Sequence, residues 1–599
     1  MTSISQQQGS VLLLDCLDEK RALYFQSPVR TISCRNLADV RHCLRAVDAA
    51  QAEGMHVAGY MAYELGYAFE EKLQGPFGSN EDLLAWFGVY QAPASMDLDE
   101  AREMLADGAG EAPAVLNDVA FDWSADQYDD AFRQVQEHLA KGDIYQVNLT
   151  MRAKFRHQGT PEAIFLELIK RQPVAYAALV KLDDRSIVSL SPELFLERKG
   201  RRLRTKPMKG TAPRGRTPDE DRAVARELAR DPKQRAENTM IVDLMRNDLS
   251  RIAETGSVKV HSLCEVERYK SLHQMTSTIE ADLLPDTGFA KIVENLFPCG
   301  SITGAPKLSA MMIADRLETS PRGVYTGSIG HLAPGGDFRF NVAIRTLVLN
   351  DDGTGVAGTG SGVVHDSGAT PEYDECRLKL KFMSAPEEAY DLFETMAYHP
   401  EDGYLLLARH VQRLKTSAAY FGIAFDEDRL QDMLKQRARA YLVPMRVRVL
   451  LSQGGDLSMS ETVLPDAGGQ QRWTVGIADE RTHSANRFLF HKTTNRTFYD
   501  DARKRYGKAT GCNEVLFRNE NGFLTEGSFT NLFVRTHGRL LTPGLHHGLL
   551  PGTLRAGMLE RGLAQEADLM PEDLANADAV FVGNSVRGLI DVTVLNFRS

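Results

Sequence analysis

The 599-residue sequence has no CxxC pair. Its seven cysteines, at 16, 34, 43, 264, 299, 376 and 512, are scattered. Neither a zinc site nor a disulfide framework is signalled. Basic residues are in deficit, 70 Lys and Arg against 81 Asp and Glu, giving a net charge of -11. That balance disfavours an extended phosphate backbone, and nucleic acid, as ligand. No stretch reaches the ~18 apolar residues that span a bilayer. The opening "MTSISQQQGSVLLLDCLDEKR" lacks a basic n-region. The expectation is a soluble cytoplasmic protein with no membrane partner. What is present is ordinary for globular cores, 43% hydrophobic and 25% charged residues, and the length suggests about two to four domains.

Local patterns divide the chain. Residues 94–118 are rich in Ala, Asp, Glu and Gly and read as a linker or surface insertion. The spacing of Tyr128, Phe132, Val135 and Leu139 predicts a helix over 124–143 capped by Ser124. A second helix is expected over 370–383, with Thr370 as cap and Pro371 at its first position. The pattern changes at "SAPEEAY", 384–390, which reads as a linker. The expected domains are a variable segment over 1–120, a catalytic domain over 121–383, and a second catalytic domain over 391–599.

"TKPMKGT", 205–211, places Lys209 beside a glycine at a strand end or turn, where a lysine is ordinarily a solvated surface charge. Glu372 and Glu375 share a helix face, and Glu237 opens another helical stretch. Three carboxylates suit Mg²⁺, and surface acids would show the same spacing.

The blocks in order carry more than any one of them. "DIYQVNLT", "SPELFLE", "KPMKGT", "AENTMIVDLMRNDLSR", "CGSITGAPK", "VYTGSIG", "NVAIRTLV" and "GSGVVHDSGATPEYDE" follow one another between 143 and 375. Their order resembles the chorismate-utilising family, which includes anthranilate, isochorismate, salicylate and aminodeoxychorismate synthases. The resemblance implies an α/β two-sheet sandwich with outer helices and an active site between the sheets. It implies Glu237 and Glu375 as Mg²⁺ ligands, and Tyr325 and Arg345 as binders of the chorismate carboxylates. Gly360 and Gly362 would let the backbone approach the substrate, and Thr303 and His273 would line the pocket.

Two positions discriminate among members. Gln146 stands where water-adding members carry a lysine base, and glutamine cannot take the proton. Lys209 stands where anthranilate synthases carry alanine. The resemblance therefore implies C4 amination of chorismate, with Lys209 as nucleophile and Glu193 as general acid. A lysine nucleophile must be neutral, against an ordinary pKa of ~10.4. No cysteine has a nucleophile-elbow setting, so ammonia is expected from a separate glutamine amidotransferase subunit or from solution.

The second half holds "DLFETM", "HVQRL", "HKTTNR", "LTEGSFTNLFV", "LPGTLR" and "GNSVRGL". This series resembles the fold-type IV pyridoxal-phosphate enzymes, a two-subdomain α/β fold that includes aminodeoxychorismate lyase and several aminotransferases. The resemblance implies that Lys492 bonds the cofactor and that Glu526 faces the pyridine nitrogen. Arg413, Asn584 and Ser585 would hold the phosphate, with Gly552 and Thr553 at the same end. The hairpin that ordinarily precedes "DLFETM" is nearly absent. Gln453 stands where such enzymes often carry arginine. Fold-type IV relatives are commonly dimers, so a homodimer through this half is expected.

Together the resemblances imply consecutive steps toward folate: chorismate to 4-amino-4-deoxychorismate, then pyruvate elimination to 4-aminobenzoate. The alternative is an anthranilate synthase component fused to an amino-acid aminotransferase.

Overall fold

A computed structural model describes residues 8–74, 82–270, 272–383, 390–464 and 472–595. Most of the expected 384–390 linker lies outside these residues. The chain forms two compact units. One comprises Met1–Ala212 with Arg226–Glu387, and the other Pro213–Ala225 with Glu388–Ser599.

The first unit is built on two ten-stranded sheets. One runs through Gly304–Ala305, Gln146–Gln158, Thr354–Val363, Thr346–Asn350, Arg185–Ser191, Tyr176–Lys181, Val11–Asp15, Arg21–Phe25 and Ala94–Asp97. The other runs from Met208–Pro213 through Leu272–Asp282 and Arg202–Lys206 to Arg30–Cys34. Val11, Val180 and Ile187 of the first sheet share one buried cluster with Ala58, Tyr60 and Ile329 of the second. That shared core makes the pair a sandwich. Helices cover the outer faces, as where Leu44, Val47, Ile292 and Val293 pack into the core under the second sheet.

The helix Ala125–Lys141 starts at Ser124, whose Oγ accepts from Gln127 N, and ends at Gly142 with φ 76°. Its buried stripe of Tyr128, Phe132, Val135 and Leu139 packs beside Val147, Leu149 and Met151. Each such side chain contributes roughly 1.5–3 kcal/mol, against about 1 kcal/mol for the cap. The next strand, Gln146–Gln158, is buried through its first eight residues. Gln146 opens it and is fully buried although polar.

Two readings need correction. Residues 94–118 are not a linker: Ala94–Asp97 pairs with Arg21–Phe25, and Leu98–Ala109 is a helix. Asp97 caps that helix, and Ala101 and Leu105 are buried in the core with Phe165. The small Ala and Gly residues that suggested a loop allow close helix packing. The later helix is Ala369–Lys379, with Gly368 rather than Thr370 at its cap.

In the second unit a four-stranded sheet carries Leu392–His399 and Met445–Leu451 at its centre. The helices Leu407–Phe421 and Glu427–Ala438 pack on it through Val411, Leu414, Leu430 and Leu434. An eight-stranded sheet follows, mixed in direction: Trp473–Thr482 pairs in parallel with Glu514–Asn519 and with Gly588–Val594. The fold class is mixed α/β throughout.

Candidate active sites

In the first unit Lys209 lies on the edge strand Met208–Pro213, just before Gly210, whose φ is 90°. Burial first, and the Lys379 ammonium next, hold its amine below the ordinary lysine value, while Glu193, Glu237 and Glu375 pull it back up. Glu193 is buried, and burial pushes its carboxyl up to about 7, against Ser301 and Lys209, which favour the charged form. At neutral pH it is therefore partly protonated beside a lysine of reduced basicity. Met208 N points at Glu193 Oε1 from 3.4 Å.

Gly362 faces the same space. A Cβ there would lie 2.7 Å from Gln146 Nε2 and 3.1 Å from Lys209 Nζ, which places both side-chain ends against one backbone position. Among the described residues the Gln146 amide has no hydrogen-bond partner at either end, so two buried polar atoms are unsatisfied, Nε2 of them beside Gly362. Gly360 receives the Lys379 ammonium on its carbonyl at 2.9 Å. Lys379 also pairs with Glu375 at 2.6 Å; against burial, the Lys379, Lys209 and Lys233 ammoniums together lower the Glu375 carboxyl. Glu237, on the helix Pro232–Ser250, is raised, by burial first and also by Glu372 and Glu375, against Lys209 and Lys233. These carboxylates sense one another and the two lysines.

Thr303 is buried, donates its hydroxyl to the Cys299 and Gly300 carbonyls, and accepts Asn148 N on its own carbonyl at 2.9 Å. His273 is buried on the strand beside that of Lys209. Tyr325 has different neighbours: Arg152 lies over its ring at 5.4 Å, and Gly358 leaves room for it, since a Cβ there would meet its Cγ at 2.0 Å. Arg345 has a left-handed φ of 51°, and burial lowers its guanidinium to about 10. Among the described residues no carboxylate pairs with it, so it is a half-buried cation suited to an anionic ligand.

In the second unit Lys492 follows the short helix Arg487–Phe490 on irregular backbone. Its carbonyl accepts Phe393 N at 3.0 Å, and its ammonium lies 4.7 Å from the Phe393 ring centre. Burial first, then Arg413 and Arg496, lower the amine to about 7, against Glu394 and Glu526. Glu526 is itself raised to about 7 by burial, with Tyr499 donating to its Oε1 at 3.2 Å and Asn531 to its Oε2 at 3.5 Å.

Arg413 is held by a carboxylate that the sequence reading did not single out. Its Nε and Nη2 donate to the two Glu394 oxygens at 2.7 Å each, and Nη1 to Pro551 O at 3.1 Å. His410 Nδ1 meets Glu394 Oε2 at 2.7 Å, and His410 Nε2 meets Thr553 Oγ1 at 3.3 Å. Gly552 caps the helix Thr553–Glu560, and a Cβ there would stand 1.7 Å from Asn531 Oδ1. Its N-terminus offers the unpaired amides that bind phosphate. Asn584 spends its Oδ1 on the amides of Val586 and Arg587 and donates from Nδ2 to Phe529 O, with Ser585 in the same turn. Gln453 donates to Tyr390 O.

Residues 9–385 match the family model described as chorismate binding enzyme. The chain belongs to that family. Residues 391–595 match amino-transferase class IV. The chorismate binding part is 43% identical over 258 residues to aminodeoxychorismate synthase component 1 of Escherichia coli (strain K12), covering 42% of this chain and 57% of that protein. It is 39% identical over 260 residues to anthranilate synthase component 1 of Haloferax volcanii, covering 43% of this chain and 50% of that protein. The chain thus spans about half the length of the curated relatives it matches. Among solved structures, anthranilate synthase component I from Streptococcus pneumoniae TIGR4 aligns with a TM-score of 0.54 and 25% identity, covering 62% of this chain and 94% of that one. Among the described residues no helix is long and apolar enough to cross a membrane.

The class IV amino-transferase match implies pyridoxal phosphate, and the residues present fit it: a half-buried lysine of low basicity, a buried carboxyl held by two donors, and an open helix N-terminus. Three side chains of these two clusters are not singled out by the sequence alone. Ser301 supports Glu193, and "CGSITGAPK" contained the signal. Glu394 lay inside "DLFETM", and Arg496 inside "HKTTNR".

Proposed function

We propose that the chain joins two consecutive steps, C4 amination of chorismate and elimination of pyruvate from the amine so formed. The observation that carries this reading is Lys209: a half-buried lysine of lowered basicity beside a partly protonated Glu193, with Gln146 where a water-activating base would stand.

Lys209 adds its neutral amine at C2 of the ring. The double bond shifts, and the C4 hydroxyl leaves as water with a proton from Glu193. Ammonia then bonds C4, the double bond returns, and the C2–N bond breaks with a proton delivered to the departing lysine. The net change is chorismate plus ammonia to 4-amino-4-deoxychorismate plus water. Gln146, with no proton to take, positions the ring and does not recruit water to C2. Tyr325 and the unpaired cation of Arg345 bind carboxylates, and Thr303, His273, Gly360 and Gly362 shape the pocket. Glu237 and Glu375 would hold Mg²⁺, which would neutralise the ring carboxylate. Their carboxylates already sense one another in the structure. Ammonia would come from a glutamine amidotransferase subunit.

In the second half, pyridoxal phosphate when bound supplies an electron sink. Lys492 would hold it covalently, and the Lys492 amine would take the C4 proton of the aminated ring. The C3–O bond then breaks, the enolpyruvyl group leaves and takes up a proton as pyruvate, and the ring becomes aromatic. Glu526 would hold the pyridine nitrogen. Arg413, Gly552, Thr553, Asn584 and Ser585 would hold the phosphate, with Arg413 oriented by Glu394.

The test is to supply the purified chain with chorismate, Mg²⁺, pyridoxal phosphate and an ammonium salt. 4-Aminobenzoate and pyruvate are the expected products. Anthranilate, or transamination of amino acids by the second half, would overturn the reading in favour of the alternative fusion.

A further inference from the structure

The segment Pro213–Ala225 follows the Lys209 strand in sequence, yet it belongs to the compact unit that carries Lys492. Neither site described above uses it. Its side chains are nonetheless specific in what they hold. Arg214 and Asp221 are both almost fully buried, and the guanidinium grips the carboxylate from Nε at 2.7 Å and Nη2 at 2.8 Å. Gly215 donates its amide to the same Asp221 Oδ1 at 3.0 Å, and a Cβ on Gly215 would meet Asp221 N at 2.2 Å. The turn is therefore fixed in shape and admits only glycine at its tip.

That turn clamps one aromatic ring. Arg214 lies 4.5 Å from the Tyr420 ring centre and donates to Tyr420 O at 3.1 Å, and the Tyr420 hydroxyl donates back to Gly215 O at 2.7 Å. The Tyr420 ring stacks on the imidazole of His491 with centres 4.4 Å apart. Ser417 Oγ holds His491 Nδ1 at 2.9 Å from the same helix. Arg216, next in the segment, lies over the Phe490 ring at 5.2 Å and donates to Ser484 O at 3.1 Å. Phe490 and His491 are the two residues before Lys492. Lys492 itself lies outside any helix or strand, and its backbone is tied to the strand Leu392–His399 by an isolated bridge between Leu392 and Thr493 and by Phe393 N on its carbonyl. A reactive amine so placed takes the rest of its aim from packing around its neighbours.

We propose that Pro213–Ala225 is a positioning element of the Lys492 site: Arg214, locked by Asp221, sets Tyr420, and Tyr420 and Arg216 together fix His491 and Phe490. The segment is written into the sequence of the chorismate-binding half, so the second chemistry depends on residues outside the class IV amino-transferase match. The inference rests on the reading of Lys492 as the cofactor-bearing lysine.

The test uses the full chain loaded with pyridoxal phosphate, comparing wild type with Arg214→Ala and Tyr420→Phe. Tyr420→Phe keeps the ring and removes only the hydroxyl, with its bond to Gly215 and its contact with Arg487, so it guards against a folding failure of Arg214→Ala. Three quantities are read: the acid–base midpoint of the lysine–cofactor absorption band, kcat and KM for pyruvate release from supplied 4-amino-4-deoxychorismate, and the melting temperature. The charged groups around the amine, Arg413, Arg496, Glu394 and Glu526, are unchanged in both variants. A shift in the midpoint therefore reports displacement of the lysine. The expectation is a midpoint moved by about half a pH unit or more, with kcat lowered about tenfold or more and KM within about twofold. Variants that keep the wild-type midpoint and kcat would overturn the proposal. A wild-type protein with no band that borohydride fixes onto Lys492 would overturn the reading beneath it.

Discussion

Gly362→Ala is the most discriminating small perturbation of the chorismate site. Gly362 lies in the extended strand Thr354–Val363, opposite Asn148, so alanine meets no backbone strain. Its methyl would stand 2.7 Å from Gln146 Nε2 and 3.1 Å from Lys209 Nζ, where ordinary contact begins at 3.4 Å. The amide must retreat by about 0.7 Å and the lysine nitrogen by about 0.3 Å, and misplacement by about 1 Å costs on the order of 10²-fold in rate. The Gln146 amide has no hydrogen bond to lose, and both atoms are ends of flexible chains, so the cost to folding is small. We expect kcat for 4-amino-4-deoxychorismate formation to fall about 10- to 100-fold, with the melting temperature lowered by less than about 3 °C. The assay is product formation from chorismate and an ammonium salt, beside a thermal melt. Gly358→Ala is the contrast: its methyl would overlap the buried Tyr325 ring at 2.0 Å and should lower the melting temperature far more. Wild-type kcat in Gly362→Ala would refute the placement of Lys209 and Gln146 at the reacting ring.

Lys209→Ala should abolish most C4 amination, and any residual product should shift toward anthranilate, as chromatography of the products would show. Because burial raises Glu193 from 4.5 to about 7, the folded protein keeps a proton there that the unfolded chain has lost across that window. The stability so gained is present below the window and lost as pH rises through it, and kcat for amination should fall above about pH 7. Glu193→Gln should remove that limb and lower kcat by about 10²–10⁴-fold, read from a pH–rate profile. Lys492→Ala should lose the lysine–cofactor band and pyruvate release while 4-amino-4-deoxychorismate accumulates; surviving pyruvate release would show that another group takes the proton. Removing Mg²⁺ with a chelator should stop consumption of chorismate and leave elimination from supplied 4-amino-4-deoxychorismate intact.

The residues that were legible in the sequence are those whose chemistry is carried by a short contiguous block. Lys209 stands between Pro207 and Gly210 in one strand, and Gly360 and Gly362 alternate on another, so a linear pattern captures them. Glu394 was not legible because its function arises from Arg413 and His410, a helix away, and only the fold shows that one carboxylate orients both. The helix Leu98–Ala109 was misread for a related reason. Its Ala and Gly content resembles a loop until Glu162, against whose side chain Gly108 packs, is seen on the facing helix. Composition reports what a segment can do alone, and close packing is decided by its partner.

The two lysines show why one site was easier to read than the other. Each must be neutral to act, and in each the first cause of lowered basicity is burial, with a neighbouring cation second: Lys379 for Lys209, Arg413 for Lys492. The charge logic is shared, but the scaffolds differ. Lys209 is aimed by a strand, where the alternation of side chains fixes its direction and Gly362 opposite leaves it room. Lys492 lies outside any helix or strand and is tied to Leu392–His399 by one isolated bridge, so part of its aim comes from packing on His491 and Phe490. The partners that supply that packing, Tyr420 and Arg216, lie far away in sequence. A catalytic group on regular structure brings its support with it in the local sequence. One on a loop has to take support from elsewhere, and the buried Arg214–Asp221 turn is where the physical argument locates it.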